Sequence, residues 1–166
     1  EVRYGFSENL LAGYAPSYLS LGISVKDFLD AVRGGDVGAF MTILQSILAS
    51  IPYDTASKEK IELRERDYQI AVYLVFALLG LFTQTEVQSA TGRADCVVVT
   101  PKFVYVFEFK LWSVGTAEEA LQQIKDLGYA TQYAVSGKEL ILVGSSFDEE
   151  KRNIGMWTTQ RNEPRK

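Results

Sequence analysis

Histidine is absent from this 166-residue chain, and the absence removes whole classes of chemistry at once. Ser-His and Cys-His nucleophiles, imidazole-bound zinc and histidine general bases are excluded. Cysteine is nearly absent: Cys96 stands alone, so neither an intrachain disulfide nor a cysteine zinc cluster is possible. A reducing, cytoplasmic setting is the expectation that follows. An excess of basic residues is missing as well. The net charge is −4, so no global field draws in nucleic acid, although one local phosphate site is compatible with it. Long apolar runs are lacking. The longest, Ile70 to Phe82, falls short of the roughly 20 residues that a bilayer span needs, so a buried helix and no membrane partner are expected. No signal peptide is visible. The chain starts at Glu1 rather than Met, which reads as a piece of a longer protein.

What is present suits one globular domain with room for a core: 47% of residues are hydrophobic and 23% charged. Residues 1 to about 52 read as helical. Ser24 is placed to cap VKDFLDAVRGG, which Gly34-Gly35 ends. Asp36 then opens a helix whose stripe is Phe40, Ile43, Leu44, Ile47 and Leu48, closed by Pro52. A polar connector, YDTASKEK, leads to a helix over 61–79, charged first and apolar afterwards, stopped by Gly80. From Thr83 the period shortens. The pattern predicts strands at 83–89, 93–99 and 103–110, a helix near 116–133, and strands at 139–144 and 153–158. The last residues, QRNEPRK, read as a frayed tail. From Lys151 to Lys166 five basic side chains face one acid, Glu163, so this end is either a solvated tail or a contact for phosphate.

The chemistry concentrates in GRADCVVVTPKFVYVFEFK. Alternation on a strand projects Glu108 and Lys110 to one face while Phe107 and Phe109 point to the other. Asp95 shares a face with Val97 and Val99. A hairpin at Thr100-Pro101-Lys102 would set the two strands side by side and collect the three polar groups on one surface. Buried charge is costly unless paired or bound to a metal, and two carboxylates are the hard oxygen donors that Mg²⁺ or Mn²⁺ prefers. Lys110 is placed to orient an attacking water or to neutralise phosphate. Burial would lower its pKa and the carboxylates would raise it, and the sequence leaves both open. Glu86, on the preceding strand, is a possible third carboxylate. Gln122, Lys125 and Tyr129 share a face of the following helix, with Gln123 beside it. Glu65 begins the earlier helix and would have to aim at the sheet.

The blocks GRADCVVVTPKFVYVFEFKL, EEALQQIKDLGYATQY and ILVGSSFDEEKRNIGMW occur in an order that resembles the PD-(D/E)XK nuclease-like superfamily. The likeness runs from about Glu65 to Trp157. It is strongest to the branch at the C-terminal end of AAA-ATPase-like proteins of bacteria, many from Bacteroidetes. The resemblance implies a fold of α/β class, a restriction-endonuclease-like mixed central sheet flanked by helices (α-β-β-β-α-β core), here with an N-terminal helical arm. It implies Asp95 as the motif Asp and Glu108-Phe109-Lys110 as its (D/E)-x-K. Gln123 takes the place of the glutamine on the following helix, Tyr129 that of the tyrosine after it, and Glu65 that of the acid on the first core helix. Ala94 stands where such members often carry proline. The implied activity is divalent-metal-dependent hydrolysis of nucleic acid, DNA favoured, with Asp95 and Glu108 holding Mg²⁺ or Mn²⁺. An ATPase-like domain upstream is implied as a partner, and no GxxxxGK[ST] loop occurs in this chain. Residues 1–55 then become an arm or linker, 56–160 the nuclease-like domain and 161–166 a polar tail.

Each reading has a plainer alternative. Asp95, Glu108 and Lys110 would otherwise be an internal ion cluster, which seldom stabilises a fold by itself. Glu86 is equally at home as a solvated strand residue, Glu65 as part of an exposed charged helix face, and Gln123 and Tyr129 as surface hydrogen-bonders. Arg93 either starts its strand or meets phosphate. Tyr105, Phe107 and Phe109 read as core, and Cys96 as a small buried hydrophobe. Two other functions remain in play. One is a catalytically idle module of the same fold that binds nucleic acid or protein. The other is a structural or regulatory appendage of an upstream ATPase-like domain, with the 1–55 arm as its docking surface, which apolar positions such as Phe28, Leu29 and Phe40 would support if they remain uncovered.

Overall fold

Apolar residues at i, i+3, i+4 and i+7 make the first described helix, α1 (Val25–Gly34), amphipathic, and it buries Val25, Phe28, Leu29 and Val32. The computed structural model describes residues 25–49, the helical positions Gln69, Val72, Tyr73 and 75–77, the backbone of strand 82–88, and residues 93–134 and 136–162. Ser24, Pro52, the 53–60 connector, the charged half of the 61–79 helix, Gly80 and the final residues 163–166 lie outside the described residues. Gly35, at φ +81°, turns the chain after α1. Asp36 caps α2 (Val37–Ala49) as the sequence predicts: its Oδ1 accepts the Ala39 N–H at 2.9 Å.

Five strands form one mixed sheet in sequential order: β1 (Phe82–Gln88), β2 (Arg93–Val99), β3 (Phe103–Leu111), β4 (Glu139–Asp148) and β5 (Asn153–Asn162). The β1–β2, β2–β3 and β4–β5 pairs are antiparallel. β3 and β4 are parallel, joined by the crossover helix α3 (Ala117–Asp126). The hairpin between β2 and β3 falls at Thr100, whose N–H donates to the Phe103 carbonyl at 2.8 Å. Its buried hydroxyl accepts the Phe103 N–H at 2.9 Å.

Alternation along β3 divides the core in two. Tyr105, Phe107 and Phe109 face α1, α2 and the helical residues Val72, Val75 and Phe76. There Phe40 meets Tyr105 edge-on at 5.3 Å, and Phe28 lies 5.5 Å from Phe76. Full burial of each such ring is worth about 1.5–3 kcal/mol. Val104 and Val106 face α3 with Val97, Leu142 and Ile124. Helices thus cover both faces of the sheet. Phe28, Leu29 and Phe40, the residues a docking arm would have to expose, are buried in the first of these cores.

Three boundaries differ from the sequence pattern. The helix predicted to 133 stops at Asp126: Gly128 turns left-handed at φ +60°, and a 3₁₀ turn, Thr131–Tyr133, follows. β4 runs on to Asp148 because Ser145 and Ser146, which look like turn residues, find partners inside the sheet. The Ser145 hydroxyl donates to the Met156 carbonyl at 3.3 Å, and the Ser146 hydroxyl accepts the Met156 N–H at 3.4 Å. β5 continues through Asn162, paired with Leu140, so Gln160, Arg161 and Asn162 are strand rather than tail.

Candidate active site

Glu108 sits on β3 with only 3% of its surface exposed, on the α3 side of the sheet. A carboxylate so placed needs partners. Its Oε1 accepts a hydrogen bond from Nε2 of Gln123 on α3 and lies 3.8 Å from Nζ of Lys110. Oε2 is buried and has no hydrogen bond among the described residues. Lys110 is on the same face two residues on, with its side chain partly open to solvent.

Asp95 approaches from β2. The paired register of β2 and β3 runs from Val99↔Val104 to Cys96↔Phe107. Just beyond it, Oδ2 of Asp95 accepts the Phe109 N–H at 2.9 Å. A side chain thus takes over at the strand end and fixes Asp95 one residue from Glu108. Its neighbour Cys96 is fully buried. Burial, and then the Asp95 charge, push its thiol well above the usual range, which leaves no thiolate for nucleophilic work.

Gln123 depends on how α3 is seated. Thr116 and Glu119 form a capping box, with the Thr116 hydroxyl accepting the Glu119 N–H and the Glu119 carboxylate accepting the Thr116 N–H. Gly144 of β4 pairs in register with Glu108. A Cβ on it would lie 2.1 Å from the Ala117 carbonyl oxygen and 2.4 Å from the Leu121 nitrogen. The helix therefore rests on bare backbone, close enough for Gln123 to reach Glu108. Gly144 escaped the reading of the sequence, although a glycine ending the run ILVG within a strand signals close backbone approach. Tyr129 is not on the helical face expected of it, since α3 has already ended. The left-handed turn at Gly128 nevertheless returns its buried hydroxyl to 3.5 Å from Gln123 Nε2. Gln122 instead bonds to Asp126 at 2.7 Å.

Glu108, Lys110 and Gln123 are therefore together, Tyr129 stands behind them, and Asp95 is tied to the same strand. Glu86 is on β1 between Thr85, which pairs with Cys96, and Val87, which pairs with Ala94. That register puts its backbone across from Asp95, while its side chain lies outside the described residues. Glu65 is outside them altogether. Among the described residues no cluster of three or more His, Cys, Asp or Glu side chains forms a metal site. The donor set on hand is two carboxylates on neighbouring strands with a buried carboxylate oxygen. It is a set of hard oxygen atoms and fits a small divalent cation that keeps several waters.

The chain is 34% identical over 154 residues to a protein of Azotobacter chroococcum (mcd 1) described as "uncharacterized protein in vnfD 5′ region". The aligned part covers 93% of this chain but only 30% of that relative. No solved structure matches. Among the described residues no helix is long and apolar enough to cross a membrane. The family model for the PD-(D/E)XK nuclease superfamily matches residues 63–157, a span that contains Asp95, Glu108, Lys110 and Gln123, and the chain belongs to that superfamily.

Proposed function

We propose that this domain hydrolyses phosphodiester bonds of nucleic acid, DNA in the first place, with Asp95, Glu108 and Lys110 as its reactive groups. The observation that carries the reading is the convergence on buried Glu108 of the Lys110 ammonium and the Gln123 amide, with Asp95 fixed one residue away. Asp95 and Glu108 would hold Mg²⁺ or Mn²⁺, which when bound supplies a Lewis acid and activates water. Lys110 is partly open to solvent, so it can place its charge on a phosphate oxygen and orient the attacking water. Gln123 holds the Glu108 carboxylate in one orientation, and Tyr129 backs Gln123. Glu86 and Glu65 are the candidates for a further carboxylate.

The same ion pair would also serve an idle module that only binds nucleic acid or protein. Work in concert with an upstream ATPase-like domain, of the kind found in Bacteroidetes, belongs to our proposal too. The greater length of the Azotobacter relative is compatible with such company. Burial of Phe28, Leu29 and Phe40 means that these three residues cannot be its docking surface.

Incubation with single- and double-stranded DNA and RNA, in Mg²⁺, Mn²⁺ or EDTA and beside Asp95→Ala, tests the proposal. Cutting that requires metal and disappears in the variant is the expected result. Absence of cutting together with absence of metal binding favours the idle module.

A further inference from the structure

The stem of Lys110 lies across Gly115, in the loop that joins β3 to α3. A Cβ on Gly115 would stand 3.4 Å from Lys110 Cγ and 3.7 Å from Lys110 Cβ. The same Cβ would stand only 2.9 Å from Oε2 of Glu119. Lysine and glutamate therefore converge over one bare backbone position, where a side chain would come between them. The loop itself is pinned to the end of β3. The Val114 and Gly115 N–H groups both donate to the Leu111 carbonyl, at 2.8 and 2.9 Å.

Neither charged group is saturated. Lys110 Nζ stands 3.8 Å from Glu108 Oε1, an ion pair too long for a hydrogen bond. Its ammonium makes no hydrogen bond among the described residues. Glu119 is exposed. Its Oε2 accepts the Thr116 N–H at 2.8 Å, which leaves Oε1 and further lone pairs open to a cation. Position adds a second reason. The lysine stem runs beside the first turn of α3, whose free N–H groups disfavour a positive charge. Glu118 and Glu119 are the acids of that turn, and Glu119 is the one that reaches Gly115 beside the stem.

We infer that Glu119 is a positioning residue for Lys110, the carboxylate that receives its ammonium when Glu108 is committed to a divalent cation. The inference rests on the proposed metal site and gives the lysine a place beside it. An ammonium this close to Glu108 is repelled by any cation bound there. Without a second acid, Lys110 would leave for water or compete for the Glu108 carboxylate. Glu119 keeps it at the edge of the site, still free to meet a phosphate oxygen.

The test is a double-mutant cycle that needs no cleavage. Mg²⁺ affinity is measured by calorimetric titration in wild type, Glu119→Gln, Lys110→Met and the double variant. Glutamine can still accept the Thr116 N–H, so the cap of α3 is kept. Glu119→Gln should weaken Mg²⁺ binding severalfold, because Lys110 then stays on Glu108. With Lys110→Met in place, the same substitution should cost clearly less. Equal losses in both backgrounds, or no loss in either, overturn the inference while the metal site stands.

A second cycle is run in EDTA on the Glu108→Gln protein, where the Glu108 charge is gone without any metal. Glu119→Gln should there lower the melting temperature by about 1–3 °C, and by less once Lys110 is also replaced by Met. Absence of that difference overturns the inference even if wild type binds no metal. Failure of wild type to bind Mg²⁺, with the difference present, overturns the metal site and leaves the Lys110–Glu119 pairing supported.

Discussion

Gln123 of α3 donates its amide hydrogen to the Glu108 carboxylate of β3, so the crossover helix and the central strand meet at a polar contact in an otherwise apolar interface. Gln123→Ala removes a hydrogen bond to a charged group, a loss of about 1.5–3 kcal/mol. If the transition state needs the orientation that this contact gives Glu108, cleavage falls roughly ten- to hundredfold. The melting temperature should fall by several degrees, and kcat/KM should fall even at temperatures where the variant is fully folded. Wild-type kcat/KM in the folded variant would make Gln123 merely structural.

Asp95 has two separable duties, the charge and the acceptor for Phe109 N–H. Asp95→Asn keeps the acceptor and removes the charge, whereas Asp95→Ala removes both. Calorimetric titration should show Mg²⁺ affinity lost in both variants. Thermal unfolding should show only the alanine variant destabilised, by about 1–3 kcal/mol, because it leaves the Phe109 amide unmet. Equal stability of the two variants would show that the hydrogen bond contributes nothing.

Lys110→Ala should fold as the wild type does, since its ion pair with Glu108 is 3.8 Å long and the lysine side chain is partly solvated. Cleavage should be abolished. Full activity in this variant removes Lys110 from the mechanism. Glu108→Gln should cost metal affinity, and an unaltered affinity would exclude Glu108 as a ligand.

Gly144→Ala forces a methyl group into the backbone of α3. The helix must move, and overpacking of this kind costs about 1–3 kcal/mol and occasionally more. Unfolding in urea should show the loss, and the displaced helix should cost activity as Gln123→Ala does. Wild-type stability would show that α3 shifts at no cost.

The turn between β4 and β5 should report on acid. Asp148 accepts the Lys151 N–H at 2.9 Å and pairs with the Lys151 ammonium at 3.0 Å. The backbone hydrogen bond first, then the lysine side chain, hold its pKa below the ordinary value. A carboxylate with a lowered folded-state pKa stabilises fully above its unfolded value, about 3.9. That contribution disappears as pH drops through the lower folded value. Asp148→Asn should therefore flatten the stability profile below about pH 4, as followed by circular dichroism. An identical profile in the variant refutes the assignment.

Much of the site was legible because strand alternation is a local rule. Glu108 and Lys110 two residues apart, and a Thr-Pro-Lys turn between two apolar runs, suffice to put three polar groups on one face. The stripe of α2 was equally plain from helical spacing. The ends of β4 and β5 were not, because Ser145, Ser146, Gln160, Arg161 and Asn162 are polar. Their place in the sheet depends on partners supplied by the opposite strand. Tyr129 was assigned to a helix that Gly128 has already turned aside, and only the folded turn returns its hydroxyl to Gln123.

The sequence by itself determined the absence of histidine chemistry, the D…ExK spacing and the period of each element, since these depend on residue type and on neighbours along the chain. Only the tertiary structure decided that Gln123 grips Glu108, that Gly144 lets α3 approach, and that the Tyr129 hydroxyl comes back to Gln123. Those relations join residues of different elements, and packing alone sets the distance between them.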